Sequence, residues 1–218
     1  MNYEQMNNNK VCLTGTIVSE PEFSHEVFGE GFYEMRLSVP RLSDQSDILP
    51  ITISERLIAD NLIKVDKEIS LSGQFRSYNK IDGVKSKLML TIFVREIHNE
   101  DTCPINTIEL NGYICKPPVY RTTPFKREIC DILIAVNRAY NKSDYIPCIA
   151  WGRNARYIKN AVVGERVKLS GRIQSRDYQK QMPDGRMITR TAYEVSVNKI
   201  LTDKSDDLEE VVAEENEE

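Results

Sequence analysis

Between Ala135 and Tyr178 four aromatic side chains, Tyr140, Tyr145, Trp151 and Tyr178, stand among Arg138, Lys142, Arg153, Arg156, Arg172 and Arg176. Flat rings stack on unpaired bases, and guanidinium or ammonium groups neutralise the backbone beside them. The chemistry implied is binding by stacking and charge, with single-stranded nucleic acid as the first candidate ligand. Any one ring alone is an ordinary strand residue, and a strand with one polar face is the common half-buried design. The weight lies in four rings coinciding with a local excess of arginine.

Extended segments are needed to position these groups. In VKLSGRIQSRDY, alternation puts Val167, Leu169 and Ile173 on one face and Lys168, Arg172, Arg176 and Tyr178 on the other. In DYIPCIAW, Tyr145 and Trp151 share a parity while Ile146, Cys148 and Ala150 take the opposite side. Tyr145 fits an interior position equally well.

The chain's 218 residues suffice for two small domains. No apolar run approaches the roughly 20 residues of a membrane span, and MNYEQMNNNK lacks the basic and apolar regions of a secretory signal. The expectation is a cytoplasmic chain with no membrane contact. Cys12, Cys103, Cys115, Cys130 and Cys148 are odd in number and scattered, and His25 and His98 are solitary. That spacing offers no zinc site and no catalytic dyad, and the four cysteines in apolar strand contexts read as free buried thiols. No catalytic residue, metal or cofactor is expected, and the chain reads as a binding protein rather than an enzyme.

The net charge of −4 hides an asymmetry. Residues 1–103 carry 11 Lys and Arg against 16 Asp and Glu, a balance of −5; residues 104–201 carry 17 against 8, or +9; residues 202–218 carry 1 against 9, or −8. A polyanion is therefore expected mainly on the second half.

Read in order, KVCLTGTIV, FYEMRLSVP and ILPITIS predict three strands, ERLIADNLI a short helix, and EISLSGQF and KLMLTIFVREI two strands joined at Asp82-Gly83. Residues 99–104 form a linker, and the order begins again. An offset of 97 pairs Gly15 with Gly112, Pro21 with Pro118, Arg41 with Arg138 and Asp47 with Asp144, and an offset of 98 pairs Leu71-Ser72-Gly73 with Leu169-Ser170-Gly171. This is an internal duplication. The expected fold is all-β: two tandem OB-folds at 9–98 and 105–201, each of five strands with one short helix after the third, then an acidic disordered tail at 202–218. Another small barrel with a helix insertion has the same strand order.

The copies differ outside their cores. Tyr140 faces Ser43 across the repeat, Tyr145 faces Ile48, Trp151 faces Ser54, Lys168 faces Ser70 and Arg172 faces Gln74, while Tyr78 stands where Tyr178 does. The first copy is expected to bind nucleic acid weakly or to do something else.

The second half resembles the bacterial single-stranded-DNA-binding protein family over residues 105–201, through NTIELNGYI, ILIAVNRAY, DYIPCIAWGRNA, VVGERVKLSGRIQSRDY and EVSVNKIL. The first half resembles it as a degenerate copy. The resemblance implies base stacking at Tyr140, Tyr145, Trp151 and Tyr178, with Tyr78 as the remnant in the first copy, and a homodimer of two-barrel chains. Phosphates are expected at Lys168, Arg172, Arg176, Arg138 and Arg153. The family's tail tip, an acidic, proline and phenylalanine element that docks replication and repair proteins, is missing, since the tail ends in Glu218. The tail remains a candidate docking element for such partners and equally a solvated terminus. The expected function is sequence-tolerant binding of single-stranded DNA in replication, recombination or repair. The rivals are a protein-interaction module of a replication or mobile-element complex, and an RNA-binding role.

Overall fold

The computed structural model describes residues 8–82, 85–98, 103–182 and 185–202. Outside them lie the Asn-rich start, the glycine of the Asp82-Gly83 turn, most of the 99–104 linker and the acidic tail. The first half runs β1 (Asn9–Ile17), β2 (Glu22–Val27), β3 (Glu30–Pro40), β4 (Ser46–Ser54), α1 (Glu55–Asp60), β5 (Glu68–Asp82) and β6 (Lys85–His98). The second repeats the order with β7 (Asn106–Ile114), β8 (Val119–Thr122), β9 (Glu128–Arg138), β10 (Lys142–Trp151), α2 (Gly152–Ile158), β11 (Arg166–Gln181) and β12 (Met187–Thr202).

Each half holds the expected five strands and one helix, and each adds a short strand, β2 or β8, that sequence reading lacks. Every residue of β2 and β8 is exposed. Without an inward apolar face they carry no alternating signal.

Alternation builds the cores. Val11, Leu13 and Ile17 of β1 are buried, as are Leu49, Ile51 and Ile53 of β4; Ile108, Leu110 and Ile114 of β7 and Val167, Leu169 and Ile173 of β11 do the same in the second half. Each buried aliphatic side chain contributes about 1.5–3 kcal/mol.

In the first barrel β1 pairs with β5 and, through Thr16 and Ile17, with β3; β3 pairs with β4, β4 with β6 in parallel, and β6 with β5. In the second, β7 pairs with β11 and, through Tyr113 and Ile114, with β9; β9 pairs with β10, β10 with β12 in parallel, and β12 neighbours β11. Both rings close, with the helix between the third and fourth barrel strands. These are OB-folds.

The repeated glycines mark where strands approach most closely. A Cβ on Gly73 would lie 2.3 Å from the Phe93 carbonyl oxygen, and one on Gly171 would lie 2.2 Å from that of Ser196. No side chain fits there, which is why both copies keep the residue. The aligned Arg41 and Asp47 form a two-point ion pair at 2.8 and 2.5 Å, and Arg138 and Asp144 repeat it at 3.2 Å. Asp47 is fully buried and Asp144 nearly so.

By contacts the chain divides into two compact units, residues 1–10, 108–172 and 195–218 in one and residues 11–107 and 173–194 in the other. The repeat boundaries follow chain order, whereas the tip of the β11–β12 hairpin groups with the first barrel. Inside that unit Ser175 donates its backbone N–H to Asp47 at 2.7 Å, Arg41 donates to the Ser175 carbonyl at 3.0 Å, and Arg36 donates to the Tyr193 hydroxyl at 2.8 Å.

Candidate nucleic-acid interface

In the unit built on the second barrel, β10 presents Tyr145 and Trp151 outward, 41% and 37% exposed, while Ile146, Cys148 and Ala150 point into the core. Tyr145 is therefore a surface residue. Six residues of strand separate the two rings by about 20 Å. Trp151 ends β10 opposite Ile129 and caps α2 with its backbone, its side chain taking no part in the cap. Tyr140 occupies the β9–β10 turn with a φ of +61°, followed by Asn141 at +54°, and its ring is 88% exposed. A tyrosine rarely adopts that backbone. Its cost is borne at a position that carries a ring far into solvent.

Of the expected cations in this unit, Lys168 is exposed and Arg172 half-buried on the outer side of β11, and Arg153 is exposed on the first turn of α2. Strand β12 lies between β10 and β11 in the sheet. Arg138 differs, since its guanidinium donates to the buried Asp144 and its charge is largely balanced there. A further ring and cation group that sequence reading missed sits at β8 and α2. Lys159 lies 5.3 Å from the centre of the Tyr120 ring, Tyr120 and Arg156 both donate to Glu128, and Tyr157 is 45% exposed. Spacing could not reveal it, because the residues come from three separate elements.

In the other unit Tyr178 is 37% exposed, and Arg176 stands 3.7 Å from Glu194, which also accepts from Gln174 at 2.8 Å. Tyr78 donates its hydroxyl to Glu34 at 3.1 Å; partial burial and that carboxylate push its phenol up to about 12. At the aligned positions this barrel holds Ser43, Ile48 and Ser54, yet rings enter from other strands. Arg76 lies 3.8 Å and Arg95 5.1 Å from the centre of Phe93, Phe32 packs against Phe93 at 5.5 Å, and His25 stacks on Phe32 at 5.2 Å. Burial, with the adjoining Cys12 thiol, pushes Cys103 up to about 11, so two cysteines far apart in sequence meet. Among the described residues no group of three or more His, Cys, Asp or Glu could hold a metal, and no helix is long and apolar enough to cross a membrane.

Two closed five-stranded barrels, one with an outward row of rings, define an oligonucleotide-binding-fold protein. The profile described as "Single-strand binding protein family" matches residues 105–202. Single-stranded DNA-binding protein 1 of Staphylococcus aureus is 33% identical over 91 residues, 38% of this chain and 53% of the relative. Single-stranded DNA-binding protein 1 of Streptococcus pyogenes is 30% identical over 97 residues, 41% of this chain and 75% of the relative. The chain belongs to the single-strand binding protein family, and it spans about half the length of the S. aureus relative. Wild-type single-stranded DNA binding protein from Thermus aquaticus superposes with a TM-score of 0.67 over 89% of this chain and 92% of its own, at 18% identity. At that identity the likeness concerns the fold.

Proposed function

We propose that the protein binds single-stranded DNA with little sequence preference and performs no chemistry on it, protecting the strand in replication, recombination or repair. The observation that carries the reading is the β9–β10 hairpin, with Tyr140, Tyr145 and Trp151 outward over a core of Ile146, Cys148 and Ala150. Bases stack on these rings, and Lys168, Arg172 and Arg153 neutralise phosphates beside them. Tyr178 and Arg176 offer a ring and a cation on the other unit, and Arg138 acts mainly by holding the hairpin through Asp144. Tyr78, its hydroxyl engaged by Glu34, contributes less. The names of the relatives support DNA as the strand. The family resemblance supports a homodimer, and the tail of residues 202–218 serves as a competitor for the basic face.

A protein-docking role for the first barrel is the second reading. It is favoured by the −5 balance of residues 1–103 and by Ile48 and Ser54 at the aligned ring positions. Trp151 is the only tryptophan, so indole fluorescence tests the main reading directly. Oligo-dT quenches it strongly and duplex DNA does not; equal silence with both, matched by no mobility shift, overturns the reading.

A further inference from the structure

Strands β2 and β8 are the same edge hairpin in two copies. The offset of 97 pairs Phe23 with Tyr120 and Phe28 with Phe125. Among the described residues β2 pairs with β3 alone and β8 with β9 alone, and each ends the strand order. All residues of both strands are exposed. An open edge offers a row of N–H and C=O groups to another strand unless something blunts it. At the hairpin tips Phe28 is fully exposed and Phe125 is 88% exposed. A barrel that has already closed needs neither ring in water.

The two copies carry opposite charge. Residues 18–30 contain Glu20, Glu22, Glu26 and Glu30 and no Lys or Arg, a balance of −4. The aligned residues 115–127 contain Lys116, Arg121, Lys126 and Arg127 and no acid, a balance of +4. The adjoining β9 tempers the positive edge, because Asp131 accepts from Arg121 at 2.8 Å and Glu128 from Arg156, while Lys116, Lys126 and Arg127 flank the strand. Beside β2 lie Glu34 and Arg36 of β3, of opposite sign. One hairpin, duplicated, has thus kept its edge and its exposed ring and reversed its charge. Folding requires neither sign.

We propose that the acidic edge at β2 docks on the basic edge at β8 of a second copy of this chain, strand against strand, with the Phe28 and Phe125 tips covered in the contact. Edges of the same kind repel, glutamates against glutamates or cations against cations, so only the mixed pairing is attractive. A contact between unlike surfaces leaves the pair with one edge of each kind unused, one on each copy, and assembly continues head to tail unless geometry closes a ring. The partner is the chain itself, and on the binding reading above the contact would place successive copies side by side along one strand.

The test uses the full chain without nucleic acid, so its failure is separate from any failure of DNA binding. Sedimentation velocity at low salt is compared with about 1 M salt, where the screening length falls to about 3 Å. Two variants are made, Glu22→Lys with Glu26→Lys, and Lys126→Glu with Arg127→Glu, all at exposed positions, with circular dichroism confirming the fold. The wild type grows with rising concentration at low salt and loses that growth at high salt. Each variant alone associates at least tenfold more weakly. Mixed in equal amounts they associate again, because one supplies an unaltered β8 edge and the other an unaltered β2 edge. A wild type that never grows, growth indifferent to both variants, or a mixture no stronger than either variant alone overturns the proposal. So does a Lys126→Glu, Arg127→Glu chain that loses oligo-dT affinity while the wild type shows no growth, which assigns the basic edge to the strand instead.

Discussion

Trp151 closes β10 with its side chain 37% exposed, and only its backbone caps the start of α2. On the proposed binding reading, Trp151→Ala removes a stacking platform without removing a cap. Base stacking on an aromatic is worth about 1–3 kcal/mol per base, so the Kd for oligo-dT rises roughly 5- to 150-fold by anisotropy, with the thermal midpoint almost unchanged. Asp47 behaves oppositely, as a buried residue whose loss is structural. Burial opposes its ionisation, but the bonds from Arg41 and Ser175 prevail and hold its carboxyl below the ordinary value. A carboxyl lowered in the folded state stabilises above the unfolded aspartate pKa of about 3.9 and loses that contribution as pH falls through the folded value. Asp47→Asn is expected to cost about 3 kcal/mol at pH 7, since it strands Arg41 and part of the Ser175 contact. In urea titrations the gap between variant and wild type narrows below about pH 4, and a gap independent of pH would remove Asp47 from this role.

At the scale of the element, the barrels depend on strand pairs that touch backbone to backbone. A methyl group on Gly171 meets the Ser196 carbonyl oxygen, and one on Gly73 meets that of Phe93, both closer than any relaxed contact. Neither oxygen can move without parting β11 from β12 or β5 from β6. Gly171→Ala is thus expected to lower stability by at least about 2 kcal/mol and to reduce oligo-dT binding through the second barrel. Gly73→Ala lowers stability comparably while leaving most of the affinity, because the β9–β10 hairpin lies in the other unit. Equal loss of affinity in both variants would argue that the first barrel carries a full share of the binding.

Over the whole molecule, charge is divided between −5 in residues 1–103, +9 in residues 104–201 and −8 in residues 202–218. A strand held on the +9 segment releases counterions, so log K falls with log salt by about 0.7 for each phosphate neutralised. On the proposed reading, three phosphate contacts at Lys168, Arg172 and Arg153 give a slope near −2, and truncating any one to alanine makes the slope shallower by about 0.7. Removing residues 202–218 takes away the competing −8 and raises affinity at low salt, with the difference vanishing as screening increases. Unchanged affinity after that deletion would dispose of the tail as a competitor.

The amino-acid sequence alone determined what depends on neighbours along the chain. Alternation in β10 and β11 specified the core faces, because side chains two apart in a strand share a side. The duplicated glycines and the Arg41–Asp47 and Arg138–Asp144 pairs could be aligned before their contacts were known, and the outward parity of Trp151 followed from Ile146, Cys148 and Ala150. Only the tertiary structure decided what each charge and ring faces. It set Arg138 on Asp144 and Tyr78 on Glu34, brought Phe93 under Arg76, joined Lys159 to Tyr120 and grouped residues 173–194 with the first barrel. It also made strands of β2 and β8, whose residues bury nothing. Those outcomes rest on strand register and on contacts across long loops, which local periodicity does not encode.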